Sequence, residues 1–145
     1  MPPTAPFLEF AVVWNDEDLQ EVVVSASSGL FTGQVNLYAG WNELESIAES
    51  LRDFPLSRTD RREIQLGQDN LSGYGTATLT VYCTDSLGHL GIEIAMRTNP
   101  ADSAKGKESA VVVVQVVVGD LDRFAADLRR INNEVGAQAV LRSAA

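Results

Sequence analysis

Residues 109–119 read S-A-V-V-V-V-Q-V-V-V-G, with valine at seven of the eight positions from 111 to 118 and only Gln115 between them. A β-branched side chain is stiff at its first torsion and packs well on a pleated surface, so the run predicts a strand. Alternate residues point to opposite faces. Val111, Val113 and Val117 fall on one face, and Val112, Val114, Val116 and Val118 on the other. Two apolar faces predict a central strand covered on both sides. Left uncovered, such a strand is an aggregation hazard. The helix that follows is one candidate cover.

That helix has the clearest period in the chain. Leu121, Phe124, Ala125, Leu128, Ile131 and Val135 recur at helical spacing, with Asp120 placed to cap the start and Gly136 to end it. A second helix is expected over residues 41–54. Leu44, Ile47, Ala48 and Leu51 share one face, Asn42 and Glu45 have capping-box spacing, and Pro55 stops it.

Period-two patterns fill the rest. Residues 7–14 place Leu8, Phe10, Val12 and Trp14 on one strand face. A polar turn, Asp16-Glu17-Asp18, leads to a strand over 19–26, and residues 30–39 set Phe31, Val35 and Leu37 against Thr32, Gln34 and Asn36. Gly33 inside that strand predicts a bulge or a close backbone approach. A short strand over 63–67 precedes a polar turn, Gln68-Asp69-Asn70, with Gly73-Tyr74-Gly75 read as a turn or bulge. A long strand over 72–84 follows, with Leu79, Val81 and Cys83 inward and Thr76, Thr78, Thr80 and Tyr82 on a wet face. After the turn at Gly88, residues 90–98 form its hairpin partner. No internal repeat is evident. The pattern predicts an α+β fold: a single-domain antiparallel sheet of about six to seven strands with two helices on one face. Residues 1–6 are expected to be a flexible arm, 7–136 the domain, and 137–145 a fraying tail.

Composition narrows the function classes. The 145 residues include 45% hydrophobic types, enough for a core, and carry a net charge of −9. Binding to nucleic acid or anionic membranes needs the opposite sign, so neither partner is expected, whereas a basic protein would be attracted. No apolar run is long enough to span a bilayer, and the start lacks signal-peptide character, so a cytoplasmic location is expected.

Motifs for chemistry are missing. Cys83 and His89 are the only residues of their types, which precludes an internal disulfide or a cysteine cage. Cys83 reads as a buried thiol and His89 as a loop residue. Asp16-Glu17-Asp18 lacks a calcium-loop pattern, and no glycine-rich phosphate loop or nucleophile elbow occurs. Arg52, Arg58, Arg61 and Arg62 form the one basic island, where pairing with acids outweighs an anion site. No catalytic, cofactor-binding or metal residue is assigned, and a partner-binding site is left unassigned.

Residues Gly29-Leu30-Phe31-Thr32-Gly33, then Tyr38, Leu44, Leu51 and Phe54-Pro55, recur with a known spacing. They are followed by Asp85, Gly88-His89-Leu90-Gly91, the valine strand, Leu121, Phe124 and Leu128. Across roughly residues 7–135 the chain resembles a small family of bacterial hypothetical proteins similar to WapI-type immunity proteins. The resemblance implies a cytosolic α+β protein, with some members neutralising a toxin, and carries no catalytic residues. The expected function is thus a non-enzymatic, protein-binding immunity factor. Two alternatives stay open: a homo-oligomeric scaffold such as a homodimer, and a small-molecule pocket between helix and sheet with Tyr38, Trp41 or Tyr82 at its mouth.

Overall fold

The computed structural model describes residues 5–67, 74–101, 104 and 106–142. The turn expected at Gln68-Asp69-Asn70, Gly73, the first residues of the arm and the last three of the tail lie outside them. In chain order the elements are β1 (Phe7–Asn15), β2 (Leu19–Ser27), β3 (Thr32–Gly40), α1 (Glu43–Ser50), β4 (Arg61–Leu66), β5 (Thr76–Cys83), β6 (His89–Arg97), β7 (Ser109–Val117), α2 (Val118–Ile131) and β8 (Gln138–Arg142).

The fold is α+β, but the described strands form two antiparallel four-stranded sheets, not one sheet of six or seven. Sheet A has the order β3-β2-β1-β8 and sheet B the order β4-β5-β6-β7. The reason lies in the apolar faces. Leu8, Phe10, Val12, Val22, Val24, Val35 and Leu37 from sheet A join Leu79, Val81, Ile92, Ile94, Val112, Val114 and Val116 from sheet B in one buried cluster. Each helix has a single stripe, so the two sheets must cover what the helices cannot. The helices pack on one another, and Phe124 of α2 meets Phe10 of β1 edge to face at 5.5 Å.

The valine strand is not central. β7 is the last strand of sheet B, with Val112, Val114 and Val116 buried and Val111 and Val113 exposed. Nor do residues 137–145 fray as a whole: β8 pairs with β1, placing Leu141 beside Leu8 and Ala139 beside Phe10. Their burial supplies the free energy that an end strand of five residues needs.

The helix ends also differ from expectation. Asn42 is the residue before α1, but its side chain makes no capping bond, and α1 is shorter than the span 41–54. Asp120 lies inside α2, three residues past Val117, where its Oδ2 accepts the Val117 N–H at 2.9 Å. This is the returning half of a capping box. α2 stops at Ile131, and Val135 is exposed. On β5, Thr76 and Thr80 are buried rather than wet, Thr80 lying between Glu63 and Glu93 on the flanking strands. Phe31 sits at the β2–β3 turn and is exposed, outside the alternation of β3. Gly33 marks a close approach: a Cβ there would lie 2.6 Å from Met96 Cε, while the β2–β3 register runs unbroken.

The two sheets are also one plan used twice, although the sequence shows no repeat on inspection. Each is a four-strand meander (β8-β1-β2-β3 and β4-β5-β6-β7) whose last strand leads into a helix. Buried Val35, Leu37, Ala39, Leu44, Ile47, Ala48 and Leu51 each have a buried counterpart 77 residues later: Val112, Val114, Val116, Leu121, Phe124, Ala125 and Leu128. The cross-strand row Leu141–Leu8–Ala26–Gly33 corresponds to Leu66–Ala77–Met96–Ala110. Four of these pairs keep the residue itself (Val35/Val112, Leu44/Leu121, Ala48/Ala125 and Leu51/Leu128), but they are common apolar types spread over 17 positions, so the relation shows as spacing and burial and not as a run of identities.

Candidate interaction surface

The outer face of sheet A carries an aromatic row built by one irregularity. Strict alternation would put Trp14 inside with Leu8, Phe10 and Val12. Instead the register against β2 shifts between Val12 and Trp14, and Val13 is the extra residue. Such a bulge re-aims the side chains beyond it. Trp14 therefore pairs with Glu21, whose other neighbour is Tyr38, and all three stand on the outer face. The Trp14 and Tyr38 rings meet edge to face at 5.8 Å, reaching across Glu21. Tyr74 extends the row, with its ring 4.3 Å from that of Tyr38. Trp14 and Tyr74 remain 42% and 38% exposed, a large apolar area to leave in water.

Charge surrounds this row. Glu21 accepts a hydrogen bond from Asn36 Nδ2 at 3.0 Å. Desolvation, and next the Glu21 carboxylate, push the Tyr38 phenol above its ordinary value, so it stays a neutral donor at physiological pH. The β1–β2 turn is fixed by Asp16, whose Oδ1 accepts the N–H groups of Asp18 at 2.8 Å and Leu19 at 2.9 Å. These two bonds hold the Asp16 carboxyl below the usual range. Glu17 and Asp18 point to solvent, and the Asp18 carbonyl accepts the N–H of exposed Trp41 at 3.1 Å. Among the described residues none of Asp16, Glu17, Asp18 and Glu21 is in an ion pair. The surface thus offers aromatic rings beside unneutralised carboxylates, the chemistry that receives Lys and Arg side chains.

The other sequence candidates are placed apart. Tyr38 and Tyr82 lie on the outer faces of different sheets, so with Trp41 they do not share the mouth of one pocket. The Tyr82 ring covers Gly91, where a Cβ would lie 2.5 Å from it, and Arg61 stacks over it at 5.9 Å. Cys83 is only partly buried and points its thiol at the Ser57 carbonyl, 3.9 Å away. His89 Nδ1 meets Asp85 Oδ2 at 2.6 Å, so its partner is a carboxylate and not the thiol. Asp85 is held below its ordinary value first by the Leu87 N–H. These two line an open depression of about 410 Å³ with Thr84 and Gln115, and the hydroxyl of Thr84 is committed to the His89 carbonyl.

The basic island is structural in part. Arg62 donates to the Ser50 and Arg52 carbonyls at 2.9 and 2.7 Å, pairs with Asp60 at 2.9 Å and stacks on Phe54. It closes the end of α1, where cations are favoured. Arg52 pairs with Glu49 at 3.4 Å. Among the described residues no three His, Cys, Asp or Glu side chains group as a metal site, and no helix is long and apolar enough to cross a membrane. Trp14 was the residue hardest to place from sequence, because a bulge leaves no mark in composition. Its position directly before the acidic turn was the available signal. Compared with family models, curated proteins and solved structures, the chain matches none, so the reading of this surface stands on its own residues.

Proposed function

We propose that this is a non-enzymatic, cytoplasmic binding protein of the immunity type. It holds a basic protein, such as a toxin domain, against the outer face of sheet A. The observation that carries the reading is the row Trp14–Tyr38–Tyr74, its two outer rings exposed on either side of half-buried Tyr38, around Glu21 and beside the Asp16–Asp18 turn. Exposed aromatic anchors are the residues that dominate binding energy at interfaces, and a net charge of −9 steers a cationic partner toward them. The test is calorimetric titration with basic, toxin-like proteins encoded beside the gene. Trp14→Ala is expected to weaken binding at least about tenfold, and Glu21→Gln to reduce the salt dependence. Binding unchanged by both substitutions, or no candidate binding at micromolar protein, would overturn the reading.

A further inference from the structure

The two meanders allow one open edge to be compared with its own counterpart. In the first, the edge of β3 is closed by the chain entering β5: the Gly75 N–H donates to the Asn36 carbonyl at 2.9 Å. Gly75 lies against β3 so closely that a Cβ would sit 2.0 Å from Val35 Cγ2. In the second, the counterpart of Asn36 is Val113, three residues past Ala110 as Asn36 is three past Gly33. The counterpart of Gly75 is Pro6, two residues before Leu8 as Gly75 is two before Ala77. Proline has no N–H to donate. Pro6 is also exposed, and among the described residues β7 is bonded to no strand but β6.

The side chains diverge at the same place. On β3 the outer positions 34 and 36 are Gln and Asn, as a wetted face requires; on β7 their counterparts are Val111 and Val113, 59% and 39% exposed. Natural edge strands are usually blunted by charge, proline or a bulge. From Ala110 to Gly119 there is no charged residue, and the β6–β7 register has no bulge.

We infer that the β7 edge is a self-association surface whose occupant is β7 of a second copy, paired antiparallel about Val113 so that two B sheets join into one of eight strands. Charge selects this occupant. Two copies at −9 each repel across most faces, and the acidic row of sheet A suits a basic partner; the uncharged valine edge is where two copies meet with the least repulsion. In this register Val113 faces Val113 and Val111 faces Gln115 on the outer side, while Val112 faces Val114 inside, so every pair is compatible with the pleat. The edge lies on sheet B and leaves the sheet A surface free.

The experiment is light scattering with size exclusion from micromolar to millimolar protein. The wild type is expected to move from 15.7 kDa toward twice that mass, and Val113→Lys to stay at the chain mass with unchanged circular dichroism. Amide exchange supplies a readout free of substitution: β7 amides of the wild type should slow by tenfold or more as concentration rises, with those of β4 unchanged. A wild type that stays at chain mass throughout, or an association that Val113→Lys leaves intact, overturns the inference.

Discussion

Gln20 shows how single residues hold the sheets to the helices. Its side chain is wholly buried, yet Nε2 donates to the Gly40 carbonyl at 3.0 Å, the Trp41 carbonyl at 3.2 Å and Asn132 Oδ1 at 3.0 Å, while Oε1 accepts the Asn133 N–H at 3.0 Å. A buried amide is tolerated when its bonds are made, so Gln20 ties β2 to the start of α1 and the end of α2. Glu43 is the opposite case. It opens α1, where a carboxylate is favoured by the helix dipole, but its Oε2 is buried without a hydrogen-bond partner. Desolvation raises its carboxyl above the ordinary 4.5, and the Gly40 N–H offsets only part of this. The folded protein therefore binds this proton more tightly than the unfolded chain does. The contribution to stability is fully present below about pH 4.5 and is lost as pH rises through the folded value. Asp16, Asp60 and Asp85, held low chiefly by backbone N–H groups, act in the other sense: their contribution is present above 3.8 and is lost as pH falls. Glu43→Gln isolates the first effect. It should leave the urea midpoint almost unchanged near pH 4 and raise it at pH 7. A midpoint difference that does not vary with pH would show that the carboxyl ionises as freely in the fold as outside it.

The elements themselves differ in how openly the sequence declares them. Phe124 and Val135 belong to one apolar stripe by spacing alone, but the structure separates them. Phe124 is 1% exposed and packed on Phe10, whereas Val135 is 56% exposed beyond the end of α2. Phe124→Ala should cost about 3–5 kcal/mol in chemical denaturation, and Val135→Ala should stay within about 0.5 kcal/mol. Equal losses would restore the longer helix. The contrast explains what was legible. Alternation over Leu8–Val12 and Leu90–Met96 located β1 and β6, since burial on one face writes itself into every second residue, and the valines at 22–24 located β2. β8 was missed because a five-residue strand of Ala139, Val140 and Leu141 between polar ends has too little pattern to outweigh a terminus. The valine run declared a strand but not its place, because exposed Val111 and Val113 look like core residues until their neighbours are known. The aromatic row was legible only in pieces: Tyr38 stood out, while Trp14 needed the bulge at Val13, and Tyr74 lies 36 residues from Tyr38 along the chain.

At the scale of the molecule the gene order and the structural order are out of step. Each unit is a meander followed by its helix, and the second, β4-β5-β6-β7-α2, is continuous in the chain. The first is split, with β8 arriving from the far end to lie beside β1. That split is a matter of connection rather than of packing. Phe7 and Arg142 are direct cross-strand neighbours, and the Arg142 guanidinium lies 5.9 Å over the Phe7 ring, so the ends of β8 and β1 are one hairpin loop apart. Between α1 and β4, Leu56 and Arg58 are exposed, and a break after Ser57 leaves the Arg62–Asp60 pair whole. Exposed loops whose backbone carries few bonds accept new termini. A permuted chain that starts at Arg58, joins Arg142 to Phe7 through a short glycine-containing linker and ends at Ser57 should therefore fold. It should keep the wild-type circular dichroism, unfold in one cooperative transition and lie within about 2 kcal/mol of the parent, the loss expected from untying two hydrogen bonds that span the break, Leu56 N–H to Asp60 and Asp60 N–H to the Ser57 carbonyl. Both units would then be continuous. If the permuted chain instead unfolds in two steps, the units are separable and the shared core does not bind them into one cooperative body. Failure to fold would show that the 55–60 connection itself is needed to position α1 on α2.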